Sequence, residues 1–341
     1  MMNILSGELR SPIERRQPGN WPAGATRHLW RLLLAISLVG GVAASYWLSK
    51  AAVAQTSLRV APRGACAPIR VARPTEMVAA GADIWVLGLS SNTVSEISTS
   101  TCAVQRVVTV RFPDYPTDLA ADGRRVWLAS SSGQIIEINN RTGSVDGSLR
   151  LPHSGLPVLA VGDGHIWAGD SMFYRGITEI DASTRKVIHT FLRNRASAWL
   201  TYEHRRLWSS GHVLVEIDTS SRRILRTFPM PTHSAPQASV FDGRHLWVVA
   251  GSRRIVEVDT RSHRVLGAVV AGRNIGGLAF DGRDIWVTSS GTDRVAEVDT
   301  VGRRVIKTLA VGRMPAYLVF AAGHLWVSNY GSSTVQELHA P

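Results

Sequence analysis

Three loop histidines, His153, His212 and His233, two cysteines, Cys66 and Cys102, and a glutamate recurring about every forty residues are the groups in this sequence whose chemistry could be put to work. A histidine beside a substrate serves as a general base near neutral pH. A lone loop histidine is more often simply solvated, and no nucleophile elbow, phosphate loop or zinc-ligand spacing accompanies these three. The glutamates Glu96, Glu137, Glu179, Glu216, Glu257, Glu297 and Glu337 invite a reading as a ring of carboxylates for catalysis or metal. A residue present in every repeat, however, serves what every repeat needs, so pairing with a backbone group or an arginine at a strand position is the expectation. No catalytic residue, metal site or cofactor is assigned from the sequence.

What must position these groups is a repeat. An aliphatic residue followed by Trp, a small polar loop and an alternating strand ending in Glu, an aliphatic residue and often Asp recurs at Trp85, Trp127, Trp167, Trp208, Trp247, Trp286 and Trp326. The spacing of about 40 residues is that of propeller blades. Stretches such as Arg254-Ile255-Val256-Glu257-Val258-Asp259 alternate with a period of two, as half-buried strands do, which excludes helical solenoids of similar period. A hydrophobic content of 45%, 30 Gly, 15 Pro and only 19% charged residues also suit a turn-rich all-β chain. Asp-Gly at 122–123, 163–164, 242–243 and 281–282 gives four of the first hairpins a turn that tolerates positive φ. The last repeat stops after Glu337-Leu338 without its fourth strand, and residues 67–72 read as a fourth strand with nothing before it. The expectation is an all-β, seven-bladed β-propeller of four-stranded blades over residues 66–341, the N-terminal strand closing the last blade and removing an open sheet edge.

In such a ring the loops between blades meet the loops between second and third strands on one face, around the central channel. Read in order, the inter-blade loops carry Arg73, Arg111, His153, Arg193 with Arg195, His233, Arg273 and Arg313. The companion loops offer Phe173, Tyr174, Arg253, Arg254 and Tyr330, and Tyr115 sits beside Asp114 in the second blade's entry loop. Two readings compete: soluble loop arginines in an Arg-rich chain, or a positive funnel with aromatic walls suited to an anionic polymer or headgroup. The formal net charge of +12 favours anionic partners in general. On the opposite face, Arg185-Lys186, Arg222-Arg223, His263-Arg264 and Arg303-Arg304 fall in repeating turns and read first as solvated hairpins, second as a polyanion-facing belt.

Residues 1–28 are polar, Pro- and Gly-containing and aperiodic, the pattern of a disordered cytoplasmic tail. Residues 32–49 contain no charged side chain, and a helix over 29–49 nearly crosses the ~30 Å hydrocarbon core. Five arginines precede it between Arg10 and Arg31, which places the N-terminus in the cytoplasm and everything after Lys50 outside. The triplet Ala52-Val53-Ala54 equally fits a signal-peptidase site. The chain is therefore a single-pass membrane protein with its propeller outside the cytoplasm, or a secreted or periplasmic one cleaved after Ala54, with a linker at 50–65. An oxidising compartment would permit a disulfide. Cys66 and Cys102 open equivalent outer strands in neighbouring blades, so their Cα atoms are expected beyond the ~7 Å limit and the bond is not expected.

The last blade reads His324-Leu325-Trp326-Val327-Ser328-Asn329-Tyr330-Gly331-Ser332-Ser333-Thr334-Val335, preceded by Val311-Gly312-Arg313-Met314-Pro315. This resembles the YVTN-repeat (YncE-like) β-propeller family, with Trp in place of the family's usual tyrosine. The likeness covers residues 66–338 and is sharpest in the last three blades. It implies the seven-bladed fold and, by analogy with DNA-binding members, an affinity for nucleic acid, but no reaction. The Trp-Phe-Thr-Glu signature of the neighbouring streptogramin-lyase type is absent: Val-Leu-Gly, Leu-Ala-Ser and Ala-Gly-Asp follow the first three tryptophans. The leading functional reading is a monomeric, non-enzymatic binding or sensor module holding an anionic polymer, nucleic acid or headgroup. The alternatives are a scaffold for an envelope protein and a propeller lyase or hydrolase.

Overall fold

Alternation along the repeats produces strands, and strands produce blades. The computed structural model describes residues 66–111, 114–152, 155–173, 175–193, 197–228, 230 and 236–338. The tail, the apolar segment and the linker expected at 1–65 lie outside them. Among the described residues no helix is long and apolar enough to cross a membrane. Seven four-stranded antiparallel sheets follow one another. Blade 1 is typical: from the centre outward it runs Pro74–Ala80, Asp83–Gly88, Thr93–Ser98 and Ala103–Thr109. Blade 7 is composite. Its strands Pro315–Ala321, His324–Asn329 and Thr334–Leu338 are completed by Ile69–Arg70 from the other end of the chain, with Ile69 opposite Val335 and Arg70 opposite Thr334. The seven-bladed ring closes as the repeat count requires.

The core lies between blades. Seven apolar clusters occupy the seven interfaces, and the repeated tryptophans, each at most 2% exposed, fill the wedges where neighbouring sheets diverge. The closing interface joins Ile69, Val71, Trp326 and Val335 of blade 7 to Met77, Ile84 and Ile97 of blade 1.

The recurring Glu and Asp have distinct tasks. The residue ending each third strand caps the following turn: Asp181 accepts from the Ser183 and Thr184 amides, Asp259 from those of Arg261 and Ser262, and Asn139 from those of Arg141 and Thr142. These turn bonds hold the Asp259 carboxyl down to about 2. Each such turn has one residue of positive φ: Cys102 (57°), Gly143 (72°), Arg185 (58°), Arg222 (59°), His263 (59°) and Arg303 (53°). From that position a side chain crosses to the buried glutamate of the preceding blade. Arg185 meets Glu137 at 2.6 Å, Arg222 meets Glu179 at 2.5 Å, His263 meets Glu216 at 3.2 Å, and Arg303 is paired with Glu257. The unfavourable backbone of a non-glycine residue there is offset by a charge-assisted bond to a desolvated carboxylate.

The exceptions follow from the same geometry. At Gly143 an added Cβ would lie 2.1 Å from Arg106 Cδ, and Arg106 itself supplies the cation to Glu96, at 2.9 Å. Glu297 faces blade 7, whose third and fourth strands are not joined by a turn; burial raises its carboxyl, Lys307 opposes that, and Asp284 adds to it. At Cys102 the contact is covalent.

Two expectations are thereby corrected. Arg185, Arg222 and Arg303 are not free solvated side chains but inter-blade ties, whereas their successors Lys186, Arg223 and Arg304 are exposed and form no ion pair among the described residues. Cys66 and Cys102 are joined by a disulfide, with Cα atoms 5.7 Å apart. The positive-φ turn position, which reaches across to the preceding blade, brings Cys102 within range of the closing strand. The Arg303→Ala variant leaves Glu257, 1% exposed, with only the His245 ring, its Nδ1 at 3.0 Å, beside it in place of the guanidinium. It is expected to cost about 2–4 kcal/mol in denaturant unfolding, whereas Arg304→Ala next to it is expected to change stability by less than ~0.5 kcal/mol.

Candidate binding face

Call upper the face that carries the inter-blade loops. There the backbone is tied down by small polar residues of the loops between second and third strands. The Arg273 amide donates to Ser289 Oγ at 2.9 Å, the Arg313 amide to Ser332 Oγ at 2.7 Å, and the Met314 amide to Asp293 Oδ1 at 2.9 Å. With the main chain satisfied locally, the guanidinium groups are left to solvent. Arg73, Arg111, Arg193, Arg273 and Arg313 are all exposed, and none pairs with a carboxylate among the described residues. Arg73 lies over the Tyr330 ring at 5.8 Å, and Arg313 donates to the Gly331 carbonyl at 3.2 Å. Tyr115 is 44% exposed on the same face, as is Phe173 at 41%, with the Arg175 guanidinium 5.4 Å from its ring. His153, Tyr174, Arg195 and His233 lie outside the described residues.

The channel directly beneath holds groups that loop reading missed. In the innermost strands the partners of the seven tryptophans are Val78, Ala120, Ala160, Thr201, Val240, Ala279 and Val319. Two residues earlier, near the upper end of each strand, stand Glu76, Asp118, Val158, Trp199, Ala238, Gly277 and Tyr317. This register does not repeat from blade to blade, unlike the tryptophans. The Trp199 and Tyr317 rings stack 5.8 Å apart at 17°, and their blades, the fourth and seventh, stand on opposite sides of the ring, so the pair spans the channel. The Tyr317 side chain hydrogen-bonds Glu76. Asp118, 8% exposed, accepts from the Leu119 amide at 2.8 Å and, across the blade gap, from the Leu159 amide at 2.6 Å.

Burial raises both acids. Glu76 is pushed well above the usual carboxylate range by desolvation, with Asp118 adding to it and Tyr317 opposing. Asp118 rises to about 7 by desolvation, against the two amide bonds. The folded state therefore holds these protons to higher pH than the unfolded chain, and stability is lost as pH climbs from the ordinary carboxylate range towards about 7. The melting temperature is expected to fall between about pH 5 and pH 8. Glu76→Gln keeps an acceptor for Tyr317 and should flatten that slope; an unchanged slope would show that Glu76 does not titrate there.

Among the described residues one group of three potential metal ligands converges, Cys66, Cys102 and Glu337. Its two sulfurs are bonded to each other, which leaves a single carboxylate.

Comparison with known proteins defines the class by fold alone. No protein-family model matches the chain, and no curated protein matches it. Among solved structures, it is similar to the β-propeller domain of Myceliophteria thermophila Cps50 (Swd1), with a TM-score of 0.69, 14% identity, and coverage of 81% of this chain and 99% of that one. It is also similar to Kuenenia stuttgartiensis hydrazine synthase, with a TM-score of 0.66, 14% identity, and coverage of 85% and 99%. The chain carries a seven-bladed β-propeller.

Proposed function

We propose that this chain is an extracytoplasmic, non-enzymatic binding propeller that holds a polyanion or anionic headgroup on its upper face. The observation that carries the reading is that five exposed guanidinium groups, those of Arg73, Arg111, Arg193, Arg273 and Arg313, share the upper face with exposed aromatic rings and have no carboxylate partner among the described residues. Charge so placed attracts phosphate or carboxylate groups, and the exposed Tyr115 and Phe173 offer stacking surfaces. The resemblance of the last blades to YVTN repeats supports the same reading. The Cys66–Cys102 disulfide supports an oxidising compartment, in agreement with the arginine-preceded apolar run at 32–49.

A titration with single-stranded DNA and with an acidic polysaccharide tests it. Binding should be measurable at low salt and weaken linearly on a logarithmic salt scale; no binding to either probe at low salt removes the proposal. A second reading, a lyase or hydrolase, is favoured by one observation, the raised Glu76 and Asp118 carboxyls beside Tyr317 under the same face. Under that reading Glu76→Gln abolishes turnover of a bound polymer; under the first it leaves binding intact and there is no turnover to lose.

A further inference from the structure

The lower rim of blades 3–6 has a composition that ring closure does not require. The outermost strands there are Lys186–Phe191, Arg223–Phe228, Arg264–Val270 and Arg304–Ala310. Each opens at its lower end with a basic residue and two aliphatic ones, and the second aliphatic residue faces outward: Ile188 is 43% exposed, Leu225 40%, Leu266 38% and Ile306 44%. The opening residues, Lys186, Arg223, Arg264 and Arg304, are exposed and form no ion pair among the described residues. The pattern is confined to four adjacent blades. Blade 1 opens its outermost strand with Ala103-Val104, and blade 2 with Val145-Asp146, which carries an acid.

The second observation is where the chain enters. Cys66 lies at the lower end of blade 7: its amide donates to Glu337 at 2.8 Å, and its sulfur is bonded to Cys102 in a lower-face turn of blade 1. The described chain therefore begins on the lower side, at the seam between blades 7 and 1. The uncharged apolar run ends at Ser49, and residues 50–65 that follow reach at most about 50–60 Å when extended. With the apolar run held in a membrane, a tether of at most that length raises the ring's effective concentration at the surface, and a weak surface contact is then enough to orient it.

We infer that the lower rim of blades 3–6 rests on an anionic lipid surface, the lysine and arginines meeting headgroups and the four outward aliphatic side chains entering the interface, so that the upper face points away from the membrane. This rests on the anchored reading above. Basic residues flanking aliphatic ones match the chemistry of such a surface, in which charge attracts and apolar area inserts.

The test uses the full chain reconstituted in bilayer discs of phosphatidylglycerol with phosphatidylcholine, and in discs of phosphatidylcholine alone, followed by amide hydrogen exchange. At residues 186–189, 223–226, 264–267 and 304–307, exchange should be slowed about fivefold or more in the anionic discs. That protection should be lost in high salt and in the Ile188→Ser/Leu225→Ser/Leu266→Ser/Ile306→Ser variant, whose changes are at exposed positions. Equal exchange in both discs, or protection on the loops of Arg73, Arg273 and Arg313 instead, overturns the inference and leaves the anchor standing. A chain that does not remain with either disc removes the anchor and the inference together. In every case single-stranded DNA binding by the upper face is read separately, so the two faces fail or succeed independently.

Discussion

The double variant Cys66→Ser/Cys102→Ser is expected to lose about 3–4 kcal/mol of unfolding free energy in the chain-entropy picture of a bond closing a loop of 36 residues' separation. The loss falls on the seam of the ring. The closing strand pairs through two residues only, Ile69 and Arg70, and its apolar anchors Ile69 and Val71 are 9% and 6% exposed in the interface between blades 7 and 1. With so short a ladder, the disulfide and the Cys66 amide bond to Glu337 hold the strand against fraying. Removing residues 55–73 takes away the bond, the strand and both anchors together. It uncovers the edge of Thr334–Leu338 and opens the blade 7–blade 1 interface. The ring should then unfold cooperatively or fail to accumulate, as measured by thermal melting and protease resistance. A truncated chain that melts at the temperature of the full chain would mean that closure contributes little.

How much of this was legible in the residues depends on whether a feature repeats. Seven tryptophans and four Asp-Gly turns set the blade count and the first hairpins. Gly123, Gly164, Gly243 and Gly282 indeed take positive φ. Closure was legible because a strand was missing at one end and surplus at the other. The glutamates were rightly kept out of catalysis, but their partners were not assigned. Nothing in Arg222-Arg223 says which arginine has the positive φ that carries it to the preceding blade. The disulfide was misjudged for the same reason: strand spacing alone separates Cys66 from Cys102, and the turn conformation brings them together. Glu76, Asp118, Trp199 and Tyr317 were hidden in a different way. Each is one residue in a strand that otherwise fits the repeat, and only the closed ring gathers blades 1, 2, 4 and 7 around one channel.

The upper-face claim is tested most directly by comparing two variants of equal charge. Arg73→Ser/Arg273→Ser/Arg313→Ser removes three upper-face cations; Arg223→Ser/Arg264→Ser/Arg304→Ser removes three exposed, unpaired cations from the lower rim. Both lower the net charge from +12 by three. Since the positions are exposed, and the one hydrogen bond of these guanidinium groups among the described residues, from Arg313 to the Gly331 carbonyl, is itself exposed, each single change should cost less than ~0.5 kcal/mol of stability. Single-stranded DNA binding is then measured against salt. The upper-face variant is expected to bind more weakly, with a log–log salt slope shallower by about 2, from ~0.7 per lost phosphate contact, while the lower-rim variant keeps the parent slope. If the lower-rim variant loses the slope and the upper-face variant keeps it, or if both change alike, the charge acts without a site and the upper face is not where the ligand binds.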